Sequence, residues 1–224
     1  MKNSPTSQHK DWHDRWQSGR IGFHQSDFHP SLLTYWPDFS LQKNSAVLVP
    51  LCGKTLDMIW LAEQCHAVIG VELSEIAAKD FFTENSISYD ISTAGQFKKY
   101  QGGGITILVG DFFDLTSADI PNVKAVYDRA AIIALPVEMR QKYVRHLQSI
   151  LVEDSQILLI TLAYDQSQMD GPPFSVTSDE VENAFGSWCD ITELDTSSPE
   201  DFRGIEAVEC VYGMRVKNEL CRVD

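Results

Sequence analysis

The sequence predicts an α/β protein with a doubly wound, mostly parallel sheet of seven strands, a C-terminal antiparallel hairpin and an N-terminal helical lid. Three observations lead to this prediction. After residue 45, short apolar runs alternate with amphipathic stretches of helical spacing, which is typical of parallel βαβ units. The end of the chain holds two β-rich stretches joined by a polar loop, which indicates a hairpin. The N-terminal segment lies outside this alternation and carries tryptophans at helical spacing.

The first half of the sheet is predicted from three apolar runs and the two helical stretches between them. The third run is entered through the flexible Gly102-Gly103-Gly104. In chain order the elements are strand Ala46–Val49, helix Thr55–Gln64, strand Ala67–Val71, helix Ser74–Asn85 and strand Ile105–Val109.

The second half continues the alternation and then changes to the hairpin. Pro136 suits the first turn of a helix, where a missing N–H costs nothing. Thr177 with Glu180 three residues later forms a capping box, which marks the start of another helix. The remaining elements are strand Ala125–Tyr127, helix Pro136–Leu151, strand Gln156–Leu162, the helix after Thr177, and hairpin strands near Asp190–Asp195 and Ala207–Val216 around a polar loop, Ser197–Gly204.

Length indicates one domain, residues 1–224, in which residues 1–40 form a lid segment and residues 45–224 form the core. Trp12 and Trp16 are four residues apart, so they share one face of a helix. A helix that packs over the strand ends through these rings would cover a ligand there. The packing role and the lid role are compatible.

Composition argues against several classes of partner. The formal net charge is −14, from 18 Lys plus Arg and 32 Asp plus Glu, which disfavours nucleic acid and anionic membranes. The N-terminal stretch lacks the apolar region of a signal peptide, and no apolar run is long enough to span a bilayer. The five cysteines never form a C-x-x-C pair, so we expect a cytoplasmic protein without disulfides or a metal site.

The loop after the first strand, Gly53-Lys54-Thr55, looks like the end of a phosphate-binding P-loop. That motif requires a second glycine five positions earlier, where this chain has Leu48. The three-glycine dinucleotide fingerprint is also absent. The sequence therefore predicts a strand–loop–helix unit that lacks a pyrophosphate grip.

Glu72 follows the second strand and is a candidate for binding a ribose. It lies 19 residues after Gly53, close to the spacing of about 20 expected for such an acid. A carboxylate accepts hydrogen bonds from both hydroxyls of a diol. The alternative is an exposed glutamate that stabilises a helix N-terminus.

Two further candidates follow the third strand. Asp111 is placed to accept a hydrogen bond from an adenine amino group, and Phe112 to cover the face of the ring. The alternative for Asp111 is a cap on the next turn.

Asp128 and Arg129 follow the fourth strand. Arg129 has the geometry to bind a carboxylate with two parallel hydrogen bonds, or to reach an acceptor substrate. The alternative is a structural ion pair with Asp128 or another neighbour.

Several stretches together resemble one family along nearly the whole chain. They are WHDRWQSGRIGFHQ, VPLCGKTLDMIWLA, VIGVELSEIAAKDFF, YDRAAIIAL and GPPF. The set is similar to thiopurine S-methyltransferase in its bacterial form, a class I S-adenosylmethionine-dependent methyltransferase with a Rossmann-like core. By this resemblance the loop around Gly53 is a variant of the S-adenosylmethionine loop.

The resemblance implies a cytosolic, monomeric enzyme that transfers methyl from S-adenosylmethionine to a small aromatic or heterocyclic thiol. No catalytic base and no metal are implied. The loop Pro199–Gly204 matches the family poorly, which leaves the role of Arg203 open. The implied cofactor-binding positions are Trp12, Leu51, Glu72, Asp111, Phe112 and Arg129, and the implied substrate-binding positions are Phe23 and Arg129.

Three other functions stay open at this point. The first is methylation of another soft nucleophile, such as a selenium or tellurium species or a halide. The second is a nicotinamide-dependent oxidoreductase, which would need a glycine-rich pyrophosphate loop. The third is a non-catalytic nucleotide-binding module.

Overall fold

The computed structural model describes residues 7–21, 24–42, 45–64 and 67–218. Within these ranges six α-helices surround one sheet. The helices are α1 (Ser7–Gln17), α2 (Pro30–Tyr35), α3 (Asp57–Glu63), α4 (Glu75–Glu84), α5 (Val137–Ile150) and α6 (Ser178–Phe185). The strands are β1 (Ala46–Pro50), β2 (Ala67–Glu72), β3 (Asp90–Ala94), β4 (Phe97–Gly102), β5 (Ile105–Val109), β6 (Val123–Arg129), β7 (Gln156–Ala163), β8 (Cys189–Thr196), β9 (Glu200–Phe202) and β10 (Ile205–Val216).

The sheet confirms the predicted α/β class. Its strand order is β3-β4-β5-β2-β1-β6-β7-β10-β8, with β9 paired only to β10. The five central strands, β5 to β7 in this order, run parallel, while β4, β10 and β8 pair antiparallel. Every residue of β1 is buried, as expected for a central parallel strand covered on both faces.

Two apolar clusters cover the two faces of the sheet. One holds α3 and α4 with the N-terminal α2, and its largest buried side chains include Trp36, Phe81 and Phe82. The other holds α5 and α6, and it includes Tyr143 and Trp188. None of the described helices is long and apolar enough to span a membrane.

The predicted seven strands are too few, because the described residues form ten. The antiparallel pair β3–β4 was missed because β3 is exposed along almost its whole length and carries no apolar alternation. The predicted loop Ser197–Gly204 contains the short strand β9. Gly102 ends β4 where a Cβ would clash with the carbonyl oxygen of Ser88, so a glycine is required there.

The predicted helices lie where the sequence places them, with small shifts at their ends. Pro136 caps α5 and is not in its first turn. Thr177 accepts a hydrogen bond from the Glu180 amide at 3.3 Å, which confirms the capping interaction at α6. The buried Arg140 on α5 binds both oxygens of Glu180 at 2.6 and 2.9 Å, and this fork fixes α5 against α6.

The segment before β1 is attached to the core through Asp57. This buried carboxylate accepts hydrogen bonds from the His29 amide at 2.8 Å and the Tyr127 hydroxyl at 2.9 Å. Tyr127 belongs to β6, so Asp57 connects the start of α2, the start of α3 and the middle of the sheet. The position of α2 over the sheet is therefore determined by contacts far apart in sequence.

Candidate active site

A cavity of about 310 Å³ opens at the carboxyl ends of the parallel strands. This is the edge where open α/β sheets bind their ligands. Residues at the ends of β1, β2, β6 and β7 form its walls, and α1 lies across it. The cavity brings together Trp12, Leu51, Glu72, Asp111, Phe112 and Arg129. Phe23 lies outside the described residues.

Glu72 joins the loops after β1 and β2. Its two carboxylate oxygens accept hydrogen bonds from the amides of Gly53 at 2.8 Å and Ser74 at 2.7 Å. Glu72 is buried, not exposed as in the alternative above. Burial raises the pKa of this carboxyl to about 7, against the opposing effect of the amide hydrogen bonds. A carboxylate has about four acceptor sites, so Glu72 keeps acceptor capacity for a ligand in the cavity.

The loop after β1 has a strained backbone. Leu51 and Gly53 have φ values of 46° and 53°, and the first is unusual for a branched residue. The Lys54 ammonium binds both oxygens of Glu84 at 2.7 Å, so a structural ion pair accounts for the lysine.

Cys52 is buried against Gly70. A Cβ at Gly70 would come 2.6 Å from the Cys52 sulfur, and burial raises the pKa of the Cys52 thiol. Cys52 is therefore a packing residue.

Asp111 and Phe112 lie at the end of β5. Asp111 accepts a hydrogen bond from the Phe113 amide at 2.9 Å, so it does cap the following turn. It also pairs with Nε2 of His9 on α1 at 3.3 Å, which connects the N-terminal helix to this corner of the cavity. Phe112 is buried, with its ring centroid 5.2 Å from that of Tyr143. Both residues line the cavity.

Asp128 and Arg129 point to opposite sides of the sheet. Asp128 is buried in the core, where it accepts hydrogen bonds from the Tyr143 hydroxyl at 2.6 Å and the Ile132 amide at 3.1 Å. Arg129 lines the cavity, and within the described ranges no carboxylate lies within ion-pair distance of it. The alternative role of Arg129, an ion pair with Asp128, is therefore not found. Ala130 follows with φ of 62°, a second strained residue in the cavity wall.

The N-terminal helix α1 supplies the roof of the cavity. Trp12 and Trp16 both line it, which agrees with their predicted common face, and Trp16 is buried. The Arg15 guanidinium lies 5.4 Å from the centroid of the Trp12 ring. Among the described residues, no cluster of three or more His, Cys, Asp and Glu side chains could hold a metal ion.

Besides Arg203, whose role the sequence left open, the cavity is lined by residues that the sequence did not assign to the site. They come from the segment before α2, the stretch after β7, and the turn and strand at β10. Arg203 lies at the rim of the cavity, with φ of 58°. Glu209 carries no local motif, and only its pairing opposite Leu162 of β7 brings it to the site. The added lining residues here are His24, His29, Pro172, Pro173, Phe202 and Glu209.

The sequence matches a family model described as thiopurine S-methyltransferase over residues 7–211. A thiopurine S-methyltransferase of Pseudomonas fluorescens (strain Pf0-1) is 52% identical over 176 residues, which cover 79% of this chain and 81% of the relative. A probable thiopurine S-methyltransferase of Yarrowia lipolytica is 45% identical over 206 residues, covering 90% and 96%.

Two solved structures with the same fold are distant from this chain in sequence. A Burkholderia thailandensis 1,6-didemethyltoxoflavin-N1-methyltransferase, solved with S-adenosylhomocysteine, has a TM-score of 0.64 at 14% identity and covers 96% of this chain and 93% of its own. A SAM-dependent methyltransferase from Anabaena variabilis has a TM-score of 0.65 at 13% identity, covering 97% and 98%. At this identity the likeness establishes the class I methyltransferase fold.

The raised pKa of Glu72 predicts how stability depends on pH. The folded protein holds this proton up to about pH 7, whereas the unfolded chain releases it near 4.5. Stability must therefore fall as pH rises between these values. Relative to the Glu72→Gln variant, the wild-type free energy of unfolding should drop by about 2–3 kcal/mol between pH 5 and 8, at about 1.4 kcal/mol per pKa unit.

Urea unfolding at each pH measures this difference. The matched control is Glu138→Gln, which removes an exposed carboxylate on α5. Parallel pH curves for wild type and Glu72→Gln would show that Glu72 titrates as an ordinary surface carboxylate.

Proposed function

The chain belongs to the thiopurine S-methyltransferase family, and from that premise we propose that it transfers a methyl group from S-adenosylmethionine to the sulfur of an aromatic or heterocyclic thiol. The observation that carries the proposal is the arrangement of Glu72 and Arg129 in one cavity. One group accepts hydrogen bonds from hydroxyls, and the other binds an anion. S-adenosylmethionine presents both a ribose diol and a carboxylate.

The cavity fits this cofactor residue by residue. Glu72 would accept from the ribose hydroxyls with the lone pairs that the Gly53 and Ser74 amides leave open. Arg129, which has no carboxylate partner among the described side chains, would bind the cofactor carboxylate. Phe112 and Asp111 would contact the adenine, and Leu51 and Trp12 would close the cofactor between loop and helix.

The cofactor supplies a methyl group on a sulfonium, which is already a good leaving group. The protein must then align the acceptor sulfur with that methyl and keep water out. We propose that residues 1–40 act as a lid, because Trp12 and Trp16 of α1 line the cavity from outside the sheet. From the family resemblance alone, Phe23 stays a proposed acceptor-binding residue. Arg203 lines the cavity and would attract anionic acceptors.

We propose further that the enzyme is a cytoplasmic monomer, with a small-molecule acceptor and no nucleic-acid or membrane partner. The net charge of −14 supports the last point. Cys52, Cys189 and Cys210 are buried free thiols, which is compatible with a reducing compartment.

None of the three alternative functions, the oxidoreductase, the other soft nucleophiles or the non-catalytic nucleotide-binding module, gains support. For an oxidoreductase, the loop after β1 would have to bind a pyrophosphate through backbone amides. The Gly53 amide already donates to Glu72, so the only glycine of that loop is engaged. Nothing at the acceptor end favours a selenium or tellurium species or a halide over a thiol.

A labelled transfer assay tests the proposal. The protein is incubated with S-adenosylmethionine carrying a trideuterated methyl group and with 6-mercaptopurine, and the products are separated by chromatography and mass spectrometry. We expect one S-methyl product that contains the label, formed together with S-adenosylhomocysteine. Labelled product from selenite or halide, with none from any aromatic or heterocyclic thiol, would contradict the proposal.

The Arg129→Lys variant separates two proposed roles of this side chain, which are binding of the cofactor carboxylate and binding of the acceptor. A lysine keeps the charge but cannot form two parallel hydrogen bonds with a carboxylate. The KM for S-adenosylmethionine should rise about tenfold, the low end for a lost hydrogen bond to a charged group. The acceptor KM should change less, and Arg145→Lys, an exposed substitution on α5, is the matched control.

Steady-state kinetics with each substrate varied in turn gives these constants. An effect on kcat or on the acceptor KM with unchanged cofactor KM would assign Arg129 to the acceptor instead. Wild-type values for all three constants would remove Arg129 from the site.

A further inference from the structure

A carboxylate lies at the end of the cavity farthest from the proposed adenine position. Glu209 belongs to β10 and lines the cavity together with His29. It plays no part in the cofactor fit described above. The inference below rests on the proposed function, and it concerns how the acceptor is recognised and where its proton goes.

The strand order places Glu209 on the acceptor side. Asp111 follows β5 and Glu72 ends β2, on one side of the central β1. Arg129 ends β6, and beyond it come β7 and then β10. Glu209 pairs opposite Leu162, near the carboxyl end of β7, so it is level with the cavity. Neighbouring strands lie about 4.8 Å apart. The backbone of Glu209 is therefore about two strand spacings, roughly 10 Å, from the backbone of Arg129 across the sheet.

Glu209 is held in a fixed orientation by the segment before α2. Its Oε1 accepts a hydrogen bond from the Ser31 hydroxyl at 3.0 Å, and its Oε2 lies 3.3 Å from Nε2 of His29. His29 accepts from the Ser31 amide through Nδ1, so Nε2 carries the hydrogen that points at Glu209. The His29 amide is in turn held by Asp57. The carboxylate is therefore aligned before any acceptor binds.

The surroundings keep Glu209 ionised. Burial raises the pKa of its carboxyl, but the hydrogen bonds from His29 and the Ser31 hydroxyl and the positive charge of the nearby Arg129 outweigh that effect. The net result is a pKa below the ordinary value. An ionised carboxylate in a cavity wall is a strong acceptor for an N–H group.

We propose that Glu209 is a catalytic residue that binds the ring N–H of a heterocyclic thioamide acceptor and takes that proton when the sulfur is methylated. In such an acceptor the ring N–H stands next to a C=S group. The substrate class is therefore one in which sulfur and N–H share a carbon, and Glu209 selects for it.

The acceptor sulfur forms a bond to the methyl carbon, and the bond from that carbon to the sulfonium breaks, with its electron pair staying on the departing thioether. The C=S bond becomes C–S as the N–H electron pair moves into a ring C=N bond. The N–H proton passes to a Glu209 oxygen and later to water at the partly exposed side of the carboxyl.

A carboxylate of low pKa is adequate for this transfer. As the sulfur takes the methyl group, positive charge develops on the ring and the N–H becomes far more acidic. The proton then moves late in the step to a base that is weak but correctly placed. An acceptor that reacts as a preformed thiolate without a ring N–H has no proton to give and gains nothing from Glu209.

The competing role for Glu209 is purely structural, as an anchor for His29 and Ser31. The two roles are separated by comparing two acceptors in the Glu209→Gln enzyme. Pyridine-2-thione carries the ring N–H beside sulfur, whereas benzenethiol has no ring nitrogen. For the thione kcat/KM should fall about 100-fold, within the usual range for a lost proton acceptor, while for benzenethiol it should fall less than about threefold.

Two controls accompany this comparison. Ser31→Ala removes one anchor of the segment but leaves the carboxylate, so both acceptors should change by the same small factor. Calorimetry on the Glu209→Gln protein with S-adenosylhomocysteine should give the wild-type affinity. If Glu209→Gln does not fold, Glu209→Asp takes its place, and it should lower kcat/KM for the thione more than for benzenethiol.

Binding without turnover gives an independent readout. In the S-adenosylhomocysteine complex, Glu209→Gln should weaken binding of pyridine-2-thione, with no effect on its N-methyl derivative, which lacks the N–H. Equal losses for both acceptors in the kinetic experiment would overturn this inference and leave Glu209 as an anchor. A wild-type enzyme that methylates neither of these acceptors would overturn this inference, and one that also fails to methylate 6-mercaptopurine would overturn the proposed function with it.

Discussion

The buried carboxylate of Glu72 is the contact on which the site depends. It holds the Gly53 and Ser74 amides at 2.8 and 2.7 Å, so the loops after β1 and β2 keep one relative position. The same contact engages the one glycine amide that a pyrophosphate would need. Burial raises the pKa of the carboxyl to about 7, and hydrogen bonds from a ribose diol would favour the ionised form. One side chain thus shapes the cavity and, in the proposed function, would bind the nucleoside of the cofactor.

The order of the strands in the sheet determines the order in which the candidate binding residues follow one another along the cavity. From β5 through β2 and β1 to β6, the strand ends carry groups suited to an adenine, a ribose and a carboxylate in turn. Beyond β6, strands β7 and β10 border the proposed acceptor end, where Nε2 of His29 lies 3.3 Å from a carboxylate oxygen of Glu209. The antiparallel hairpin that follows the parallel strands therefore contributes to the cavity wall, because its Glu209 is a carboxylate that no βα loop supplies.

The parallel core could be predicted because its strands and helices have regular apolar patterns, and the residues at the strand ends follow from topology. The strand β3 could not, since its side chains are exposed and its pairing with β4 leaves no periodic signal. Asp128 and Arg129 point in opposite directions because side chains alternate along a strand. The hydrogen bond from Tyr143 to Asp128 could not be predicted, because these two residues come together only in the folded chain. Glu209 was missed for the same reason, because its contacts to Ser31 and His29 cross most of the chain.

The central claim is that this cavity binds an adenosyl cofactor through Glu72. Isothermal titration of S-adenosylhomocysteine into wild-type protein and into Glu72→Ala tests it directly, with NADH as the competing ligand. We expect one site in the wild type, binding weaker by about 1–3 kcal/mol in the variant, and no heat of binding from NADH. Equal affinity of both proteins for S-adenosylhomocysteine, or binding of NADH in its place, would contradict the account.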